Sequence, residues 1–279
     1  MYISTIHEFN SLEKLKTNGI DGIIIGIPHF SIRCCNVVPL NEIRKWKEKC
    51  HELNLKLYIN ILKFVHEQEI PLLIQTLMEL KQIAVDGIYF ADEGVLFEAK
   101  KLGMEHLCVY QPETLITNSY DIDFYMSQGI QSVSLAHELS IDEIKKIANR
   151  NSQFEILISG YYSILYSRRP LITNYCEELN IPKNKSCYEI IEQTRQGRMP
   201  ILEDENGTYV FSEEPMSSLE LMDQLKACHI NRFRIDSIFK DDDWTVKVIQ
   251  SYLNDGRFVE GSNKWYYQES IKKKEKTYE

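Results

Sequence analysis

Asn41-Glu42-Ile43-Arg44-Lys45-Trp46-Lys47-Glu48-Lys49-Cys50-His51-Glu52-Leu53-Asn54-Leu55-Lys56-Leu57-Tyr58-Ile59-Asn60-Ile61-Leu62 changes its hydrophobic period once. Ile43, Trp46, Cys50 and Leu53 recur at steps of three and four, which puts them on one helical face. From Leu55 the chain turns into a short β-branched run with strand character over Lys56–Leu62. The same unit recurs outward in both directions. Strands are expected at Tyr2–Thr5, Gly22–Ile27, Lys56–Leu62, Gly87–Ala91, Leu107–Gln111, Ser132–Ala136, Glu155–Gly160 and Arg232–Ser237. Strands alternating with helices predict a parallel sheet, and eight of them close a TIM-type (β/α)8 barrel. Such a barrel carries its chemistry on the loops at the carboxyl ends of its strands.

The helix ends carry matching signals. Ser140-Ile141-Asp142-Glu143 reads as a capping box, with the Ser hydroxyl and the Glu carboxylate answering each other's backbone N–H. Gly19, Gly103 and Gly129 stand where helices stop. One segment breaks the rhythm. Tyr161–Ser212, between strand seven and the last helix–strand pair, is too long for a plain connection. It holds Arg168-Arg169, Lys183-Asn184-Lys185 and Arg195-Gln196-Gly197-Arg198, and its Asn206-Gly207 between β-formers predicts a hairpin. The barrel is therefore expected over residues 1–262, with 161–212 as an insertion folded over the barrel top. Residues 263–279, with Lys272-Lys273-Lys274, read as a charged tail, solvated or frayed.

Composition narrows the function classes. The 279 residues suit one barrel, and no apolar run is long enough to span a membrane. The first eight residues have no basic region followed by an apolar one, so no secretory signal is expected. Seven cysteines without a CxxC pair predict a reduced, cytoplasmic protein without a structural zinc site. A net charge of −9 argues against attraction of nucleic acid by the whole surface, though a few local cations suffice for phosphate contact.

The expected strand ends gather polar residues: Asn60, Asp92, Glu113, Thr114, Asn118, His137, Glu138 and Asp236. Asp92, Glu113, His137, Glu138 and Asp236 are the candidate catalytic groups, because ionisable side chains on one barrel face support acid–base chemistry once burial separates their pKa values. Asp92-Glu93 and His137-Glu138 equally suit helix N-termini, where a carboxylate offsets the dipole. Asn60, Thr114, Asn118, Tyr166, Arg168 and Arg169 are the candidate substrate-binding residues. Arg168-Arg169 beside Tyr161, Tyr162 and Tyr166 suits an anion or a stacked base, and suits a solvated loop as well. No GxSxG elbow, GxGxxG turn or P-loop occurs, and no metal-ligand set is expected.

Several blocks in order resemble peptidase family U-32, the collagenase-like family. They are Asp86–Asp92, Glu113-Thr114 with Thr117-Asn118, and Leu135–Ser140. They continue through Phe154–Gly160 with Tyr166–Arg169 and Leu171–Tyr175, then Pro200–Thr208 and Phe233–Asp236. The resemblance implies a (β/α) barrel. It also implies either a nominal peptidase or a protein that hydroxylates RNA bases, ubiquinone precursors or the tRNA wobble uridine. The short length resembles the smaller member of a paired tRNA uridine-hydroxylation system of Gram-positive bacteria. The family often carries an iron–sulfur cluster on four cysteines, and here Ser163, Pro170 and Ser217 stand at three of those places. No iron–sulfur cluster is therefore expected. Ser159 replaces a usual His, His137 a usual Arg, and Ser237-Ile238 a usual Gly-Arg. Three functions follow as expectations: a tRNA-modifying component with tRNA as partner, a hydrolase, or a scaffold for a longer paralogous subunit.

Overall fold

A computed structural model describes residues 1–191, 197–254 and 260–268. Eight parallel strands form a closed ring: β1 (Tyr2–Thr5), β2 (Gly22–Gly26), β3 (Lys56–Ile61), β4 (Gly87–Phe90), β5 (Cys108–Tyr110), β6 (Ser132–Ser134), β7 (Phe154–Gly160) and β13 (Arg232–Asp236). β1 pairs with β2 on one side and β13 on the other, and the β6–β7 pairing closes the circle. Each strand is followed by a helix on the outside: α1 (Leu12–Thr17), α2 (Leu40–Glu52), α3 (Ile70–Ile83), α4 (Glu93–Lys101), α5 (Ser119–Ser127), α6 (Ile141–Ala148), α8 (Met222–Ala227) and α9 (Asp242–Leu253). The eightfold barrel is thus present. Among the described residues no helix is long and apolar enough to cross a membrane.

The local signals act as expected. Ile43, Trp46 and Cys50 of α2 are buried against the strands. At α6 the Ser140 Oγ accepts from Glu143 N, while Glu143 Oε2 accepts from Ser140 N at 2.8 Å. Gly19 and Gly129 adopt φ of +104° and +85°, which a side chain would oppose. Six of the eight barrel strands stop one or two residues short of their expected carboxyl ends, while β1 and β7 end where expected. Ala136 N, expected in a ladder, bonds Ile116 O in the loop above β5 instead, so β6 stops at Ser134.

The insertion is a second sheet. β8 (Ser163–Ser167), α7 (Leu171–Glu178), β9 (Cys187–Ile191), β10 (Arg198–Asp204) and β11 (Gly207–Phe211) build four antiparallel strands in the order β8-β11-β10-β9. The hairpin is there, shifted by one residue. Its turn is Glu205-Asn206, and Gly207 opens β11 opposite Asp204. A Cβ on Gly207 would lie 2.2 Å from Ser167 O, so the close approach of β8 demands glycine. Tyr209 and Phe211 of β11 are buried with Ile3, Ile24, Tyr89 and Val109 of the barrel interior. The insertion therefore stoppers the barrel mouth. β12 (Met216–Ser217) then returns antiparallel to β7.

The expected solvated tail is corrected at its start. Lys264–Tyr267 forms a turn whose Tyr266 is buried and hydrogen-bonds Ser218 Oγ at 2.6 Å, with Trp265 edge-on to Tyr162. Packing outweighs the charge of this segment. Lys272-Lys273-Lys274 and Arg195-Gln196 lie outside the described residues.

Below the stopper the barrel interior is ionic. Arg232 Nε donates to Glu155 Oε2 at 2.8 Å, Tyr89 OH to the same oxygen at 2.6 Å, and Arg234 Nη1 reaches Oε1 at 3.5 Å. Tyr58 packs an edge against Tyr89, and Arg232 lies over the Tyr58 ring.

Candidate functional site

The loop after β2 is shaped by Asn60. Its Oδ1 accepts from Leu62 N and Ile32 N, its Nδ2 donates to Ile32 O at 2.9 Å, and Ser31 Oγ donates to its carbonyl. Asn60 is thus a structural latch rather than a free substrate donor. The loop it holds presents Arg33 with φ of +54°, a conformation a non-glycine residue adopts only when its surroundings hold it there.

Arg33 meets Glu113, which follows β5 and itself has φ of +68°. Arg33 Nη2 and Gln111 Nε2 both donate to Glu113 Oε1 at 2.8 Å, and His137 Nε2 lies 2.6 Å from Oε2. The backbone repeats the tie, with His137 N donating to Glu113 O at 3.3 Å. Burial alone would raise the Glu113 pKa, but Arg33 and His137 overcome it and hold the carboxyl well below its usual range. Glu113 is therefore an anion at neutral pH. An ionised carboxylate only accepts, so the His137 Nε2 carries the proton toward it.

Asp236, at the end of β13, sits in the opposite regime. Burial pushes its pKa up; Arg234 and the Ile238 N–H, at 3.2 Å from Oδ1, pull it down; nearby Glu113 pushes up again. The balance is upward. The two carboxylates are thus driven in opposite directions, Glu113 down and Asp236 up, the kind of separation on which acid–base pairs are built. Arg234 beneath them is 2% exposed, and its Nε has no hydrogen-bond partner.

Of the sequence candidates, Glu113, His137 and Asp236 come together. Asp92 instead caps α4 through Gly94 N at 2.7 Å and holds Val65 N at 2.9 Å. Asn118 caps α5 through Tyr120 N and Asp121 N. Asp92 thus takes the capping alternative, and Asn118, expected to bind substrate, is a cap as well. Glu138 is exposed beside His137. Thr114 lines a cleft of about 250 Å³ between the mouth loops and β8, shared with Arg33, Phe64, Gln111, Glu113 and Tyr166. Arg168 donates to Phe64 O at 3.2 Å and faces Glu69, and Arg169 is exposed. Arg33, Phe64 and Arg234 were not among the candidates. Arg234 had a detectable signal, since Arg232, Arg234 and Asp236 fall on alternate positions of one strand and so share its interior face. Arg33 and Phe64 had none, because each is defined by a contact distant in sequence.

The residues at the family's cluster positions do not fit an iron–sulfur centre. Ser163 Oγ bonds Leu165 O, Pro170 precedes α7, and Ser217 lies in β12. Among the described residues no three His, Cys, Asp or Glu side chains are placed to hold a metal ion. Cys34 and Cys35 lie at the mouth, but burial pushes both thiols up, Cys35 to about 12, so neither is a ready thiolate.

The model of one family, peptidase family U32, matches residues 7–277. The chain is similar to tRNA hydroxylation protein P2 of Bacillus subtilis, 26% identical over 241 residues, covering 84% of this chain and 78% of that protein. It is also similar to tRNA hydroxylation protein P1 of the same organism, 21% identical over 253 residues, covering 87% of this chain and only 60% of that longer protein. The solved structure of a U32 peptidase superposes with a TM-score of 0.53 at 12% identity, over 84% of this chain and 91% of that one, a likeness of fold.

Proposed function

The chain belongs to peptidase family U32, and from that membership we propose that it is a component of tRNA wobble-uridine hydroxylation, working at the barrel mouth. The observation that carries this reading is the pair of relatives named for tRNA hydroxylation, each aligned over more than four-fifths of the chain. The site supports it. Asp236 is the group able to hold and return a proton, Glu113 the fixed anion, and Arg33 and His137 keep that anion in place. A peptidase reading has less support. Ser163 Oγ is turned to a backbone carbonyl, His137 Nε2 is committed to Glu113, and the mouth thiols are protonated.

The test is deletion of the gene followed by mass spectrometry of tRNA nucleosides. Hydroxylated uridine should fall and return with the wild-type gene; unchanged levels would overturn the reading.

One observation favours a narrower variant. Ser163, Pro170 and Ser217 leave the chain without a cluster ligand set, while P1 is considerably longer than the aligned region. A longer paralogue would then supply the cluster and this chain would act as its partner subunit. Affinity purification should bring down an iron-containing relative. Recovery of the chain alone, from cells that hydroxylate normally, would remove this variant.

A further inference from the structure

The cleft at the mouth has a feature that proton handling does not explain. Phe64 lines it and is 46% exposed. Its ring stacks on Tyr166 with centroids 5.9 Å apart and planes at 20°, and Tyr166 stacks on Tyr209 at 5.1 Å and 3°. Tyr209 is fully buried in the barrel interior. Phe64 is thus the outer member of a three-ring stack anchored in the core, and Arg168 fixes its backbone.

Facing the same cleft are Gln111 and Arg33. Because Glu113 is an anion, the Gln111 amide nitrogen must face it, and the amide oxygen faces away. That oxygen has no hydrogen bond among the described residues. Arg33 spends one Nη2 bond on Glu113, and its remaining N–H groups are likewise without hydrogen bonds among the described residues. An acceptor and spare donors lining one cleft can complement an imide edge, where an N–H stands next to a carbonyl. Uracil has that edge; cytosine has an acceptor in place of the N–H. A volume of about 250 Å³ has room for one nucleobase and not for a stacked duplex step. Enzymes that modify a base take it out of its stack into such a pocket.

We propose that this cleft receives a single unstacked uracil-type base of an RNA chain, with Phe64 as stacking platform and Gln111 and Arg33 reading the imide edge. The proposal rests on the tRNA-modification reading and assigns that reading its base pocket.

The deletion strain is complemented with wild type, Phe64→Ala, Phe64→Trp or Gln111→Leu, with folding of each checked by circular dichroism. Loss of a base–aromatic stack weakens binding by about tenfold or more, so Phe64→Ala should restore a small fraction of the hydroxylated uridine and Phe64→Trp most of it. Full restoration by Phe64→Ala would overturn the pocket and leave the tRNA reading intact. Hydroxylated uridine unaffected by deletion would remove the tRNA reading itself. With purified protein, anticodon stem-loop RNAs bearing uridine or cytidine at the wobble position are titrated beside uridine 5′-monophosphate. Wild type should prefer the uridine RNA, and Gln111→Leu should lose that preference while retaining affinity. Equal affinity for the two RNAs, or a free nucleotide bound as tightly as RNA, would overturn the assignment.

Discussion

Glu113 and Asp236 show how little of a carboxylate's role lies in its own chemistry. Glu113 is surrounded by Arg33, Gln111 and His137 and stays ionised, whereas Asp236 is driven toward its neutral form mainly by burial. Because the Asp236 pKa is raised on folding, its ionisation costs stability as pH rises past the ordinary carboxylate value. Asp236→Asn should therefore melt at or above the wild-type temperature at pH 7, and the difference should vanish below pH about 4, where the unfolded-state carboxyl is protonated too. The same variant should lower hydroxylation about a hundredfold, the usual scale for losing a general acid or base. A thermal-denaturation series against pH, with nucleoside analysis, checks both; a variant that is less stable yet fully active would refute the assignment. Asp92 and Asn118 turned out to be caps, although each stands at an expected strand end as Glu113 does. Only the three-dimensional partners separate them.

At the scale of elements, the insertion is held by Glu203 of β10. It accepts from Ile172 N at 2.7 Å and Thr173 N at 3.1 Å at the start of α7, and it pairs with Lys183. Burial raises its pKa, but Lys183, Thr173 and the backbone N–H groups prevail and bring it from 4.5 to about 2. A carboxyl with a depressed pKa contributes stability that is complete above about 4.5 and lost as pH falls toward about 2. The α7 helix should accordingly loosen from the insertion's own sheet in that window. Hydrogen exchange of the α7 amides should accelerate there in wild type. Glu203→Gln should lose on the order of 2 kcal/mol of local stability at pH 7 and show little further change on acidification. A wild-type α7 as protected at pH 2.5 as at pH 7 would contradict this. The insertion was legible as an interruption with a hairpin in it, yet its sheet order was not. Strand pairing between β8 and β11 spans about forty residues of intervening chain and leaves no local pattern.

Across the whole molecule, the centre of the barrel depends on Glu155, the one carboxylate among the described residues that forms an ion pair with both Arg232 and Arg234. Removing one member of a buried ion network leaves uncompensated charge and costs roughly 3–5 kcal/mol. Glu155→Gln should lower the unfolding free energy by that amount, read as a lower urea midpoint with an unchanged slope. Arg150→Ala, at an exposed pair with Asp123, should cost under about 1 kcal/mol. Similar losses from the two would mean that the interior network is not what stabilises the barrel.

The amino-acid sequence by itself determined the number of barrel strands, their parallel order, the position of the insertion and the face on which Glu113, His137 and Asp236 gather. These follow from periodicity and chain order, which are local properties. Tertiary structure alone decided that Phe64 caps an aromatic stack, that Arg33 clamps Glu113 and that Asn60 is a latch. Each of those roles is made by partners 28 to 102 positions away. No pattern in the neighbouring residues encodes such a meeting, because ring closure and the folding of the insertion over the mouth create it.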